Sequence, residues 1–425
     1  MSNPFNSSQR STRACLTLSV LAAALMLTSV PANAADPQGV ADPRGFIYGK
    51  ITTRSGSTFE GRMRWGKEEA FWGDHFNSVK EDRPFMHKAP RRERRERETI
   101  KVFGITIGTK WESMSSDRSL IARFGDIQRI EVRHSDEATL VLKNGSELRI
   151  DGGSNDLGGK VHIWDQEVGE IDVRWSNIEE IEMLPTPRNL EVDADRLYGT
   201  VETRRGEFRG YIQWDQDECL STDKLDGESR DGKMSIEMGK IRSIDRHTRD
   251  SSRIVLKSGR ELVLEGSNDV DSDNRGIFVE DERYGRVLVE WDAFERLVFA
   301  DPETTGPGYR DFPPAKSLSG KVIAENGEVH EGRIVYDLDE SETWEILGGD
   351  QRDISYHIPF GLIASIIPES IDSSLIILKS GEKLELEDSA DVGGEHDGVL
   401  VLDSEEDRSV YLAWSDVQRI DFDPR

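Results

Sequence analysis

The sequence predicts an all-β protein of three tandem repeats, each a pair of small five-stranded barrels, with a basic insert of about 35 residues in the first repeat. Three observations carry this. A hairpin recurs as Leu140–Leu148, Ile254–Leu262 and Ile376–Leu384, at offsets of 114 and 122 residues. Two more anchors keep the same order: Phe124/Met238/Phe360, each followed by glycine, and a closing tryptophan at Trp175, Trp291 and Trp414. Apolar residues alternate in short runs between Gly, Asp, Asn and Ser turns, as in Arg286–Trp291, and no amphipathic helix of ten residues is evident.

The first 34 residues read as a leader. Arg10 and Arg13 precede a 17-residue apolar run, Ala14–Val30, and Ala32-Asn-Ala34 supplies a small-residue exit. This is the pattern of a secretory signal peptide cleaved after Ala34, with a periplasmic or secreted destination. A membrane span needs about 20 apolar residues, and no later segment approaches that, so no transmembrane segment is expected in the mature chain. Cys15 stands at the start of the apolar run, where a lipid-anchoring cysteine would stand at its end.

Repeat one is expected over residues 45–184, repeat two over 196–300 and repeat three over 317–423. Pro185-Thr-Pro187 and the Gly/Pro-rich stretch 301–314 act as linkers. Each repeat opens on a glycine-punctuated hairpin closing at Gly61, Gly210 or Gly332, and an aromatic follows four residues later at Trp65, Trp214 and Tyr336. The insert falls near residues 77–111 and carries ten basic against five acidic groups. Inserts in repeats map to exposed loops.

Each repeat also looks internally doubled. Its halves end alike, in Gly239-Lys-Ile241-Arg-Ser-Ile244 and Trp291-Asp-Ala-Phe294-Glu-Arg-Leu297, where a short 3₁₀ turn would lead into a last strand. Four strands, a turn and a fifth strand describe an SH3-type barrel. The opening half, Val201–Asp215 with Gly206 and Gly210, resembles the first motif of the Sm-like family, and Phe360-Gly361-Leu-Ile363 is a poorer match to its second. That resemblance implies small-barrel geometry. It also implies RNA binding and ring assembly, but the basic Arg-Gly of the second motif is missing.

Charge argues the same way. The chain has 82 acidic and 55 basic side chains, net −27, and losing the leader makes it −29. A surface this acidic repels nucleic-acid backbones, so no nucleic-acid partner is expected. Two cysteines, one of them in the leader, exclude a disulfide framework and leave Cys219 as an inert thiol, with a dimerising or reactive role the alternative.

Trp65, Trp175, Trp214, Trp291, Tyr336 and Trp414 read as core anchors, with a stacking platform as the alternative. Asn155 and Asp156, Asn268 and Asp269, and Asp391 follow the second hairpin of each repeat and read either as Asx turns or as polar ligand contacts. Asp269, Asp271, Asp273 and Glu280 partly imitate a calcium loop. Asn274 occupies the position that wants glycine, and the flanks read as strands rather than helices. Arg91, Arg92, Arg94, Arg95 and Arg97 form either a docking patch for an acidic partner or a solvated charge run. No nucleophile elbow, zinc-protease motif or phosphate loop occurs, and no cofactor is expected. The expected function is an exported, non-enzymatic binding or scaffolding protein of the bacterial envelope with a protein partner. An envelope-polymer hydrolase with an inter-repeat active site, or a purely structural envelope protein, are the alternatives.

Overall fold

The computed structural model describes residues 43–81, 84–88, 119–152, 156–302, 305–402 and 409–424. The leader with its cleavage site, the Arg91–Arg97 run and Asn155 lie outside these residues. The described chain is all-β: thirty strands, with 3₁₀ turns as its only helical elements.

The first ten strands are β1 (Tyr48–Thr53), β2 (Thr58–Trp65), β3 (His75–Lys80), β4 (Ser119–Arg123), β5 (Ile127–Val132), β6 (Ala138–Leu142), β7 (Glu147–Asp151), β8 (Lys160–Asp165), β9 (Gly169–Arg174) and β10 (Ile178–Met183). The next ten are β11 (Tyr198–Thr203), β12 (Gly206–Gln213), β13 (Lys224–Ser229), β14 (Gly232–Glu237), β15 (Ile241–Thr248), β16 (Ser251–Leu256), β17 (Glu261–Glu265), β18 (Ile277–Asp281), β19 (Gly285–Val289) and β20 (Phe294–Phe299). The last ten are β21 (Ser319–Ala324), β22 (Val329–Val335), β23 (Ile346–Asp350), β24 (Ile354–Pro359), β25 (Ile363–Pro368), β26 (Ser373–Leu378), β27 (Lys383–Glu387), β28 (Val399–Leu402), β29 (Ser409–Leu412) and β30 (Val417–Phe422).

Every pairing is antiparallel, and the strands make two large sheets. The first set forms a ten-stranded sheet in the order β4-β3-β7-β6-β5-β10-β1-β2-β8-β9. The other two sets pair internally in the same pattern and are joined edge to edge by β19 and β24 into one twenty-stranded sheet. Alternating burial within the strands, as in β1, β3 and β21, turns one face inward.

The order has an internal symmetry. Replacing each strand of a set by the one five places away reads the same order backwards. The two halves are nevertheless interlocked. β2 pairs with β8, and β3 pairs with β7, so the β3–β4 hairpin lies in the other half's sheet and the β8–β9 hairpin returns the exchange. The five-stranded barrels expected from the sequence are therefore not found as closed barrels. After β2 the chain makes a tight turn, with Trp65 bridging Glu69, and crosses over instead of folding back on β2.

The recurrent glycines serve this crossing. Gly61, Gly210 and Gly332 lie where β2, β12 and β22 meet β8, β18 and β28, and a Cβ there would collide with the carbonyl oxygens of Trp164, Glu280 and Leu402. 3₁₀ turns at Phe124–Asp126, Trp175–Asn177, Met238–Lys240, Phe360–Leu362 and Trp414–Asp416 lead directly into the strands that follow them. One apolar core runs through the second and third sets. A second core fills the first set and takes in Phe312 of the linker and Trp344 of the third.

Gly210→Ala is expected to cost about 3 kcal/mol or more, because backbone must move to admit the methyl group. Chemical denaturation reads this directly, and a change under about 0.5 kcal/mol, the size of an ordinary surface substitution, would contradict the close approach.

Candidate binding site at the meeting of the three sets

The aspartates that close the second hairpins are built into the frame. Asp156 Oδ2 accepts the Asn77 backbone N–H at 2.6 Å, Asp269 Oδ2 that of Asp226 at 2.6 Å, and Asp391 Oδ2 that of Gly348 at 2.7 Å. These donors occupy the same place in β3, β13 and β23. The backbone carbonyls of the same aspartates receive the core rings: Trp65 Nε1 donates to Asp156 O at 2.9 Å, Trp214 Nε1 to Asp269 O at 3.0 Å, and the Tyr336 hydroxyl to Asp391 O. Trp65, Trp175, Trp214, Trp291, Tyr336 and Trp414 are all buried. Asn268 donates its side-chain amide to Asp215.

The four residues of the calcium-like pattern are not assembled into one cage. Asp269 is committed to Asp226, Asp271 Oδ1 accepts the Asp273 backbone N–H in the loop between β17 and β18, and Glu280 Oε1 meets Arg196 Nη2 at 2.5 Å.

A second recurrence, not anticipated from the sequence, ties the sets together. Asp74 Oδ2 accepts the N–H groups of Ala70 and Phe71, Asp223 Oδ2 those of Cys219 and Leu220, and Glu345 Oε2 those of Ser341 and Glu342. Each of these caps also holds a cation from another set. Arg196 reaches Asp74 at 3.3 Å, Arg64 grips Asp223 with two 2.9 Å bonds, and Lys80 lies 2.9 Å from Glu345 and 3.1 Å from Asp339. Lys80 belongs to β3, so Asn77–Lys80 of the expected insert are strand residues. Arg196 is also sandwiched between the Phe71 and Tyr211 rings, at 4.2 and 4.3 Å from their centroids. Cys219 lies behind Arg64, and burial pushes its thiol well above the usual range, which makes it a poor nucleophile.

At the centre two cavities meet, of about 810 and 770 Å³. His75 and Arg286 line both. The larger has aromatic walls, with Tyr198, Tyr211, Phe312 and Trp344. The smaller holds Glu68, Glu69, Phe278, Leu288 and His357. All three sets contribute: His75 from β3, Arg286 from β19, and His357 from β24, cross-strand partner of Arg286. The His75 and His357 rings stack at 5.6 Å. Burial, with Arg286 adding to it, lowers both imidazoles, His357 to about 4, so both are neutral at pH 7.

Carboxyls around the three tight turns are shifted the other way. Burial raises Glu218 to about 9, Glu68 to about 7, and Asp156, Asp269 and Asp391 to about 6, while Glu69 and Glu340 are driven well above the usual range. Glu68, Glu69 and Asp156, and likewise Asp215, Glu218 and Asp269, bring their oxygens within 4.8 Å of one another. Among the described residues no helix is long and apolar enough to cross a membrane. Compared with protein families, curated proteins and solved structures, the chain matches none.

Two outcomes are expected. Lys80→Ala strands two buried carboxyls and should cost about 3–5 kcal/mol in chemical denaturation; a loss below about 1 kcal/mol, the range of an exposed pair, would show the contact to be solvated. An acid whose pKa is raised by folding stabilises fully below its unfolded value and loses that contribution as pH rises through the folded one. Glu218, raised from 4.5 to about 9, therefore predicts a melting temperature that falls as pH rises between those two values, with a shallower fall in Glu218→Gln. Parallel profiles for the two proteins would contradict the raised value.

Proposed function

We propose that the mature chain is an exported, non-enzymatic binding protein of the bacterial envelope, whose ligand occupies the paired central cavities. On this reading residues 45–184, 196–300 and 317–423 are three copies of one repeat. Each copy descends from a doubled five-stranded unit of SH3 or Sm-like type whose halves have exchanged hairpins. The leader delivers the chain across the inner membrane and is cut after Ala34. The basic segment within 77–111 offers a further surface to an acidic protein partner.

The observation that carries this reading is the shared centre. Three sets of strands are locked together by buried ion pairs around two cavities of ligand size, and one buried arginine lines both. Scaffolds with rigid walls and a few polar groups at depth are suited to holding a ligand.

Native mass spectrometry of the protein purified from its own envelope fraction tests it. A discrete adduct, released on denaturation and unchanged in mass after prolonged incubation, is the expected result. Release of products of altered mass would favour the hydrolase alternative, and purely apo protein would overturn central binding.

A further inference from the structure

Arg286 is only 5% exposed. Its guanidinium donates to Gln213 Oε1 and lies 4.0 Å from the centroid of the Phe278 ring. Nε is buried with no hydrogen-bond partner, and among the described residues no ion pair within 4 Å is seen for the group, although Glu280, Asp74, Glu69 and Asp156 feel its charge from further off. The other buried cations of the interior differ: Arg196 is held by Asp74 and Glu280, and Lys80 by Asp339 and Glu345. A buried charge is costly unless an opposite charge or a set of acceptors meets it. Beside Arg286, half-buried His357 likewise carries an Nδ1 that is shut in without a partner. Arg286 and His357, from different sets, thus line a common cavity, and the guanidinium there has capacity for a closer anion than the structure supplies.

The walls decide what can fill that capacity. The smaller cavity is lined by six carboxyl side chains, Glu68, Glu69, Asp350, Asp372, Asp388 and Glu395, against two guanidiniums, Arg275 and Arg286. Arg275 is already committed to Asp215 and Asp217, at 3.1 and 2.9 Å. Asp372, Asp388 and Glu395 are exposed, at the cavity's outer end. A simple anion would reach Arg286 only past these carboxylates, and a polyanion such as a phosphate ester would be repelled more strongly. A ligand that brings its own positive charge meets both demands at once. Phe278, Leu288 and Ile121 add apolar wall to the same cavity.

We propose that the smaller cavity binds a zwitterion, an amino acid or short peptide, with its carboxylate on Arg286 and its ammonium toward the acidic mouth formed by Asp372, Asp388 and Glu395. The proposal rests on the binding function above and gives it a ligand class. It also assigns Arg286 a role that its sequence position does not suggest.

Isothermal titration of the mature chain with alanyl-phenylalanine tests it. The dipeptide is expected to bind, and its C-terminal amide and its N-acetyl derivative each to bind at least about tenfold more weakly, as losing one partner of a desolvated charge pair requires. Arg286→Gln is expected to lose dipeptide binding. Equal affinity for acid and amide, retained binding in Arg286→Gln, or no binding of the dipeptide at about 10 mM would each overturn the zwitterion site. The comparison of acid, amide and N-acetyl forms uses wild-type protein, so it decides the matter even if Arg286→Gln does not fold. A purified protein that carries an adduct yet ignores all three probes would leave the binding function standing and remove only this ligand class.

Discussion

The interior depends on a carboxylate used twice. In Asp74, Asp223 and Glu345 one oxygen accepts two backbone N–H groups of its own tight turn. In each case the carboxylate also meets a cation that a different set supplies. Local folding of the turn and docking of the sets therefore draw on the same side chain. A carboxylate so placed is desolvated before its cation arrives, so the docked arrangement is favoured over any in which the sets separate and leave the acid buried alone. Turn geometry also fixes where the carboxylate points, which restricts the relative placement of the sets to one that brings Arg64, Arg196 and Lys80 into reach. The central cavities exist because that placement leaves space where the three sets converge.

Much of this was legible in the sequence because it recurs. The glycines at 61, 210 and 332, the aromatics at 65, 214 and 336, and the aspartates at 156, 269 and 391 repeat because each set meets the same local demand: a close strand approach, a ring to fill the core, and a carboxylate for one strand's N–H. The aspartates could be seen as recurrent, but not that their carbonyls would carry the ring donors, since that contact joins segments 91 and 55 residues apart.

The hairpin exchange was not legible, for a physical reason. Whether β3 joins β2 or β7, its alternation of apolar and polar residues is the same, and period-two patterning reports which face is buried and says nothing of which neighbour is paired. The centre escaped for the opposite reason. His75, Arg286 and His357 stand at different places in their sets, so a search for recurrence passes over them; they converge only once β19 and β24 have joined the second and third sets. Lys80 was assigned by composition to a basic insert, and only the register of β3 shows it to be an internal cation.

The exchange of hairpins has a consequence for how such a chain can be cut or lengthened. The first half of a set taken alone would present β2 without β8 and β3 without β7, bare edges whose hydrogen-bonding groups could be satisfied only by another molecule's strands. The smallest piece that closes its own account of backbone partners is ten strands long. Gene duplication acting on this architecture can add or remove whole sets without breaking a pairing inside any set, at the cost only of an outer seam such as β19–β24, whereas a breakpoint between β5 and β6 would convert an intramolecular handshake into an intermolecular one.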